Sequence, residues 1–299
     1  MIKNLSELVE AARRRGPATL AVAAAEDAEV IEAVREVAAL GLANAILVGN
    51  EASILALAGE AGLPRGARII PEADPKLASL AAARLVREGE ASVLMKGAVN
   101  TSDFLRAALD AENGLRSGRM LSHLAAVEIP GEPKLVFYSD GGMNVAPSLA
   151  EKKQILGNAL AALHLIGIQE PKVAILAANE QVSPKVVATA DAKALMDAWE
   201  NGEFPGTVIE GPIAFDVATS REAADHKKIA SRIAGETDLF LFPSIEAGNI
   251  ATKALMRYAG ARMAGVILGA THPIVLVSRA DNAAAKVSSV ALACLAGNR

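Results

Sequence analysis

The amino-acid sequence predicts an α/β protein of two lobes, each with a mainly parallel sheet and crossover helices. Three observations favour this fold class. Short β-type apolar runs alternate with longer helical segments along almost the whole chain. The alternation is interrupted once, near the middle, by two adjacent strand-like runs. The composition, 299 residues with 52% apolar side chains and a mean hydropathy of +0.30, is typical of a compact protein.

The elements of the first half follow one another regularly. A strand is predicted over Thr19–Ala23, and the next segment carries apolar residues at helical spacing, from Val30 to Leu40. Further strands are predicted in ANAILVGN, ARIIP and SVLMKG, each separated by a helix. Such alternation indicates parallel strands joined by crossover helices.

The change of rhythm lies between Ser122 and Asp140. The runs SHLAAVEIPG and KLVFYS, joined by GEP, are typical of a β-hairpin. A long helix follows, for which Ser148 is the predicted N-cap and Glu151 has capping-box spacing. Strands are then predicted in KVAILAAN, GTVIEGPIAF, TDLFLFPS, AGVILG and PIVLVS. We therefore assign residues 1–135 and 266–299 to a first lobe and 136–265 to a second.

Composition also excludes several classes of protein. A net charge of −4 and 3% aromatic residues argue against a nucleic-acid surface. No apolar run reaches the ~18 residues of a membrane helix, and the N-terminus lacks the apolar core of a secretory signal. Cys294 is the only cysteine, which predicts a cytoplasmic protein without internal disulfides. Its apolar surroundings predict a place in a helix core rather than a role as nucleophile.

The sequence lacks the usual cofactor motifs. It contains no phosphate-binding G-x-x-x-x-G-K-[ST], no dinucleotide-binding G-x-G-x-x-G and no G-x-S-x-G nucleophile elbow. Its four histidines are scattered, without metal-ligand spacing, and His164 in an apolar helix is expected to be a core or interface residue. These absences favour a phosphate-binding protein that uses no metal, nicotinamide or covalent nucleophile.

Polar residues gather where predicted strands end, which is where open parallel sheets bind ligands. Taken alone, each such loop is more typical of a turn or helix cap. Together, helix N-termini and arginines would suit phosphate groups. The residues concerned are Lys96, Gly97, Asn100, Thr101, Arg106, Arg116, Arg119, Asp140–Ser148, Asp216, Pro243–Lys253 and Ser278–Asp281.

Four segments, in this order, carry a resemblance: SDGGMNVAPSLAEKKQI, EGPIAFDVA, DLFLFPSIEAGNIATKAL and PIVLVSRAD. They resemble the phosphate acetyltransferase/phosphate butyryltransferase family over nearly the whole chain. The chain is most similar to the butyryl branch, because SRAD stands where acetyl-specific members have DLSRG.

The resemblance implies reversible transfer of a short acyl group between CoA and inorganic phosphate. It also implies a two-lobed fold similar to the isocitrate and isopropylmalate dehydrogenases, with the active site in the interlobe cleft. CoA and acyl-CoA would be substrates rather than cofactors, no catalytic metal would be needed, and the protein would be a homodimer or a larger homo-oligomer.

The resemblance also assigns roles to residues. Arg279 would hold phosphate or the acyl phosphate, and Ser278 would donate to the developing oxyanion or the departing sulfur. Gly248 and Asn249 would line the substrate site. Further substrate contacts are expected from Asp216 and Thr101, and contacts to the CoA phosphates from Arg106, Arg116 and Arg119.

One departure from the family pattern leaves the general base open. Acetyl-specific members have an Asp seven residues after the Ser, as the proposed base for the CoA thiol, and this chain has Ala285 there. Asp281 is the nearby alternative, with Asp216 and Glu246 as others. Asp281 is an equally good candidate for the N-cap of the final helix.

Three other functions compete with this interpretation. A metal-dependent hydroxyacid dehydrogenase of the same fold would need clustered aspartates and a nicotinamide loop. A non-catalytic sensor of acyl-CoA or phosphate would explain Ala285. An acyl-carrier-protein:phosphate acyltransferase would need a basic docking face. Butyryl is favoured over acetyl as the acyl group, and neither the pocket wall nor any enoyl-CoA hydratase partner is identified by the sequence.

Overall fold

The computed structural model describes residues 2–276 and 282–297, which form two compact units. We call residues 120–262 the central unit. We call residues 2–119, together with the chain from residue 263 onward, the terminal unit. Each unit is described here by itself.

The terminal unit alternates strands and helices from its first residues. Its helices are α1 (Leu5–Arg15), α2 (Ala28–Ala39), α3 (Glu51–Ala58), α4 (Pro75–Arg87), α5 (Thr101–Ala108) and α11 (Ala283–Ala296). Its strands are β1 (Ala18–Ala23), β2 (Ala43–Gly49), β3 (Arg68–Pro71), β4 (Val93–Lys96), β10 (Arg262–Leu268) and β11 (Ile274–Val275).

The strand order in this unit is β3-β2-β1-β4-β11-β10. All neighbours in the order are parallel except β10 and β11, which pair antiparallel. The carboxyl ends of β1, β2 and β4 therefore share one edge, where Ala23 is in register with Val48 and Lys96. Helix α11 packs against α1 and α2, so the C-terminal helix covers the sheet formed by the N-terminal strands.

The central unit contains the remaining elements. Its helices are α6 (Leu149–Ile166), α7 (Val187–Glu200), α8 (Phe215–Thr219), α9 (Arg221–His226) and α10 (Ile245–Tyr258). Its strands are β5 (Ser122–Glu128), β6 (Val136–Ser139), β7 (Lys172–Leu176), β8 (Val208–Ile213) and β9 (Leu239–Leu241).

The order of the central strands is β5-β6-β9-β7-β8. Strands β5 and β6 form the predicted antiparallel hairpin, and the other neighbours are parallel. The predicted α/β class with mainly parallel sheets is confirmed.

Local sequence explains where several helices begin. Ser148 caps α6, and the side chain of Glu151 reaches back to the Ser148 amide at 2.7 Å, which confirms the predicted capping box. The six helices described for the terminal unit also begin at side chains that accept a backbone N–H of the first turn, namely Asn4, Asp27, Asn50, Asp74, Asn100 and Asn282.

The boundary between the units differs from the one placed after residue 135. The structure places it between Arg119 and Met120, because β5 pairs with β6 and belongs with α6. Asn158 of α6 donates its side-chain amide to the carbonyl of Met120 at 2.9 Å and to Ser122 Oγ at 3.0 Å. These bonds hold the start of the hairpin in the central unit.

Candidate functional site

The carboxyl edge of the central sheet carries two adjacent polar segments. Strand β6 ends at Ser139 and leads into the loop Asp140–Asn144, and β9 ends at Leu241 and leads into α10. Ser139 and Leu241 are in register as parallel neighbours, so both segments begin at the same edge. This is the position where open parallel sheets bind ligands.

Asp140 organises its own loop. Its carboxylate is 2% exposed and accepts four hydrogen bonds. Oδ1 accepts the amides of Gly142 and Met143, both at 2.8 Å. Oδ2 accepts the amide of His123 at 3.0 Å and Asn144 Nδ2 at 2.6 Å. A buried carboxylate with four donors is fully satisfied, so the loop is held in one conformation.

The loop lies directly against the first turn of α10. A Cβ at Gly248 would stand 2.8 Å from Gly141 Cα and 3.0 Å from the Asp140 carbonyl, so only glycine fits there without a backbone shift. Asn249 Nδ2 donates to the Gly141 carbonyl at 3.1 Å. The structure thus places Gly248 and Asn249, both predicted from sequence, against the loop Asp140–Asn144. The sequence had assigned no individual role to the residues of that loop.

The side chain of His123 packs against this loop. It lies at the start of β5, and a Cβ at Gly142 would stand 3.0 Å from its Cγ and 3.2 Å from its Nδ1, so the ring packs against bare backbone. Nδ1 is fully buried and has no hydrogen-bond partner within residues 2–276 and 282–297. Burial lowers the pKa of His123, and the nearby Asp140 carboxylate partly opposes that shift. The imidazole is therefore held uncharged.

The corresponding edge of the terminal sheet contains a buried lysine. Lys96, the last residue of β4, is 5% exposed, and its Nζ donates to the Gly97 carbonyl at 3.2 Å. A Cβ at Gly97 would stand 2.2 Å from the carbonyl oxygen of Ala24, so the chain must be glycine here. Asn100 then caps α5 by accepting the Asp103 amide at 2.8 Å.

The residues predicted to contact CoA lie in the terminal unit as well. Thr101 is the exposed first residue of α5. Arg106, in the last turn of that helix, is 74% exposed and pairs with Asp103 at 2.6 Å. Arg116 donates its Nε to the Leu109 carbonyl, and Arg119 is exposed. Their roles toward CoA stay predictions.

Asp216 is already paired. It lies in α8 of the central unit, and its carboxylate accepts Lys227 Nζ at 2.9 Å. The hydrogen bond from Lys227 lowers the pKa of Asp216, which makes this carboxylate a weaker proton acceptor. Glu246, the other alternative base, is an exposed residue in the first turn of α10.

The predicted catalytic residues Ser278, Arg279 and Asp281 lie outside the described residues. The helix that follows them begins differently from the sequence expectation. Its N-cap is Asn282, whose Oδ1 accepts the Ala285 amide at 3.0 Å, and the prediction of Asp281 as the cap is wrong by one residue. Ala285 lies in the first turn of α11, so the position of the family's Asp carries no carboxylate.

Several further expectations concern the described part of the chain as a whole. Within it, no cluster of three or more His, Cys, Asp or Glu side chains is arranged to hold a metal ion. Cys294 is buried in α11, as predicted. Across residues 2–276 and 282–297, no helix combines the length and apolar character needed to cross a bilayer.

Comparison with known proteins identifies relatives along the full length. Residues 72–294 match the family model described as phosphate acetyl/butaryl transferase. A phosphate butyryltransferase of Clostridium acetobutylicum is 41% identical over 301 residues, covering 100% of both chains. A phosphate acetyltransferase of Rhizobium meliloti is 39% identical over 289 residues, covering 96% of this chain and 92% of the relative.

Solved structures agree with this fold. A branched-chain phosphotransacylase from Enterococcus faecalis superimposes with a TM-score of 0.82 at 28% identity, covering 93% of this chain and 98% of its own. A putative 4-hydroxythreonine-4-phosphate dehydrogenase from Salmonella typhimurium has a TM-score of 0.59 at 15% identity, covering 94% of this chain and all of its own. The second likeness concerns the fold alone, and it confirms the predicted dehydrogenase-like architecture.

Proposed function

Because the chain belongs to the phosphate acetyl/butaryl transferase family, we propose that it catalyses reversible acyl transfer between CoA and inorganic phosphate. The observation that carries this proposal is the full-length similarity to a phosphate butyryltransferase at 41% identity. Acyl-CoA and phosphate would give acyl phosphate and free CoA.

The chemistry places clear demands on the site. A phosphate oxygen attacks the thioester carbonyl, a tetrahedral oxyanion forms, and the C–S bond breaks to release a thiolate. Two anionic reactants must be held together, which requires cationic groups and preorganised N–H or O–H donors. A metal ion or redox cofactor is not needed for these steps, and we propose that CoA and acyl-CoA take part as substrates only.

We assign the reacting groups by the family pattern. Arg279 would bind the phosphate, and Ser278 would donate a hydrogen bond to the oxyanion or the leaving sulfur. In the central unit, Gly248 and Asn249 would contact substrate next to the Asp140–Asn144 loop. The rigidity of that loop supports the proposal, because a preorganised edge loses little entropy when a ligand binds.

Contacts to the CoA phosphates would come from the terminal unit. Arg106, Arg116 and Arg119 are proposed for them, with Thr101 at the start of α5 as a further substrate contact.

Butyryl is the proposed acyl group, and acetyl is the second candidate. The similarity to the Clostridium acetobutylicum butyryltransferase favours the first, and the similarity to the Rhizobium meliloti acetyltransferase favours the second. Each methylene changes discrimination in an apolar pocket by only ~1–3 kcal/mol, so both substrates are expected to react at measurable rates. We further propose that the enzyme is cytoplasmic and acts as a homo-oligomer.

A thiol-release assay tests the proposed activity. Acetyl-, propionyl- and butyryl-CoA are each incubated with and without inorganic phosphate, and free CoA is measured with a thiol reagent. We expect CoA release only with phosphate, fastest with butyryl-CoA and unchanged by EDTA. Equal release without phosphate would contradict acyl transfer to phosphate.

The same assay separates catalysis from ligand sensing. Binding of butyryl-CoA without phosphate-dependent CoA release would favour a non-catalytic sensor. Arg279→Lys keeps the charge but loses the planar fork that binds phosphate oxygens at two points. We expect this variant to fold normally, with a higher KM for phosphate and a lower kcat.

A further inference from the structure

One histidine near the proposed substrate edge has an unexplained arrangement. His123 lies opposite Asp140 across the hairpin, and its amide donates to Asp140 Oδ2 at 3.0 Å. Its Nδ1 is enclosed and has no partner in the described part of the chain, although buried polar atoms of folded proteins almost always have one. The side chain as a whole is only partly buried, and Nε2 is not among the enclosed unpaired atoms.

The ring has the properties of a proton acceptor at neutral pH. Burial keeps it neutral, so one ring nitrogen carries a free lone pair. A hydrogen bond at Nδ1 would fix which ring nitrogen carries the proton, but Nδ1 bonds to no described residue. The proton can therefore be on Nδ1, which leaves the lone pair on Nε2. The charged group that acts on the ring is Asp140, in the loop after β6, whose carboxylate would stabilise an imidazolium once it forms.

The place of the ring connects it to the substrate residues. His123 packs on Gly142, and the neighbouring Gly141 carries the Asn249 side chain on its carbonyl at 3.1 Å. Gly248 packs on the same residue from α10. The imidazole is therefore part of one contiguous layer with the two residues proposed to contact substrate.

Two of the positions considered for the base offer no free carboxylate. Ala285 stands at the family's Asp position, and Asp216 forms an ion pair with Lys227. We propose that His123 is a catalytic residue, the acceptor of the CoA thiol proton through Nε2. This inference rests on the proposed acyltransferase function.

The proton transfer balances in both directions. From acyl phosphate, the S–H bond breaks as the N–H bond forms on His123, and the thiolate sulfur attacks the acyl carbon. The C–O bond to phosphate then breaks, phosphate leaves with the electron pair, and the imidazolium later returns its proton to the solvent. In the reverse direction the imidazolium protonates the departing thiolate of CoA.

The test measures the rate of butyryl-CoA formation from butyryl phosphate and CoA between pH 5.5 and 9. Wild-type enzyme is compared with His123→Gln, which cannot hold a proton at these pH values. We expect kcat for the variant to fall by about 10²–10⁴-fold at pH 7, the usual contribution of a general base. Its rate should then rise about tenfold per pH unit toward the thiol pKa near 8.5, because hydroxide supplies the missing base.

A second histidine provides the matched control. His164 on α6 is also partly buried, with an enclosed and unpaired Nε2, but it lies on a helix rather than against the Asp140–Asn144 loop. His164→Gln should keep the wild-type pH profile. A uniform rate loss in His123→Gln, parallel to wild type at every pH, would show a packing role and overturn the proposal.

Two further measurements keep the result decisive. If His123→Gln unfolds, His123→Ala is assayed with added imidazole. Rescue of the rate at neutral pH supports proton transfer. A folded His123→Ala variant that imidazole fails to rescue contradicts it. The wild type is first tested for phosphate-dependent CoA release. Failure of that test would overturn the acyltransferase function itself, while a normal wild type with parallel pH profiles overturns only the role of His123.

Discussion

At the scale of single residues, close backbone approach defines the edge of the central sheet. Gly141 and Gly248 touch without side chains between them, and His123 lies on Gly142 in the same way. Asp140 then fixes the loop through four hydrogen bonds. The position of Asn249 is consequently set by contacts that any added carbon atom would disturb.

Replacing Gly248 with Ala should damage this edge. The new Cβ would stand 2.8 Å from Gly141 Cα, so the backbone must shift. Overpacking costs about 1–3 kcal/mol, offset only partly by the better helix propensity of Ala, about 1 kcal/mol. We expect a lower free energy of unfolding in urea and a loss of activity in the thiol-release assay.

Gly157→Ala is the matched control for that variant. Gly157 also lies within a helix, α6, but a Cβ there would meet nothing within 4 Å. Substitution should stabilise the protein by about 0.5–1 kcal/mol and leave activity unchanged. If both variants behaved alike, the close approach of Gly141 and Gly248 would not be what makes Gly248 necessary.

The uncharged state of His123 also predicts a pH dependence of stability. Burial lowers its pKa in the folded protein, while the unfolded chain has the ordinary value near 6.5. Between these two values the unfolded chain binds more protons, so the free energy of unfolding falls as pH drops below about 6.5. Urea unfolding at pH 7.5 and 5.5 should show a smaller loss for His123→Gln than for wild type. Equal losses would contradict a lowered pKa.

Sequence alone predicted part of this edge. Gly248 and Asn249 lie in the helix that follows β9, so the local pattern placed them at a carboxyl edge, and their role toward substrate remains a prediction from the family resemblance. Asp140 was predictable only as a turn residue, because its partner His123 lies 17 residues away across the hairpin. The unpaired Nδ1 of His123 depends on tertiary packing, which no local pattern encodes.

Among the helices, the first residue could be predicted when one side chain was a much better N-cap than its neighbours. Ser148 with Glu151 is such a case, and the capping box forms. Asp281 and Asn282 are adjacent and nearly equivalent as caps, so the sequence could not choose between them. The structure selects Asn282, which accepts the Ala285 amide at 3.0 Å.

The assignment of Asn282 as the cap of α11 can be tested directly. Asn282→Ala should lower the free energy of unfolding by about 1 kcal/mol, because the Ala285 amide loses its acceptor. Asn282→Asp should keep the cap and the stability. Urea unfolding of both variants checks this, and equal stability of all three proteins would contradict the cap.

For the molecule as a whole, the main feature is that the N-terminal and C-terminal parts of the chain pack together. The C-terminal helix α11 packs against α1 and α2, and Arg15 of α1 donates to the carbonyl of Leu295 at 2.5 Å. Sequence alternation predicted parallel sheets, but not the pairing of β11 with both β4 and β10. The β4–β11 pairing joins residues 180 positions apart, Ile274 and Leu94, and is set by packing rather than by local pattern.

The outer surface of α10 bears on the proposed homo-oligomer. Of the 14 residues of this helix only Gly248 and Thr252 are buried, while Tyr258 is 89% exposed and Ile250 and Met256 are also exposed. Ile250 and Tyr258 are eight residues apart in the helix and so share one face. An exposed apolar helix face favours a protein–protein contact, and a second copy of the chain is the partner that oligomerisation would supply.

Charge placed on that surface should therefore dissociate the oligomer. The variant Tyr258→Glu leaves Ile250 unchanged, because that residue is next to Asn249, and a charge buried in the contact would oppose association. Light scattering after size-exclusion chromatography should give a multiple of the 30.8 kDa chain mass for wild type and a single chain mass for the variant. Leu77→Glu, at an exposed apolar residue of α4, is the control and should keep the wild-type mass. An oligomer that survives this substitution would place the contact elsewhere on the molecule.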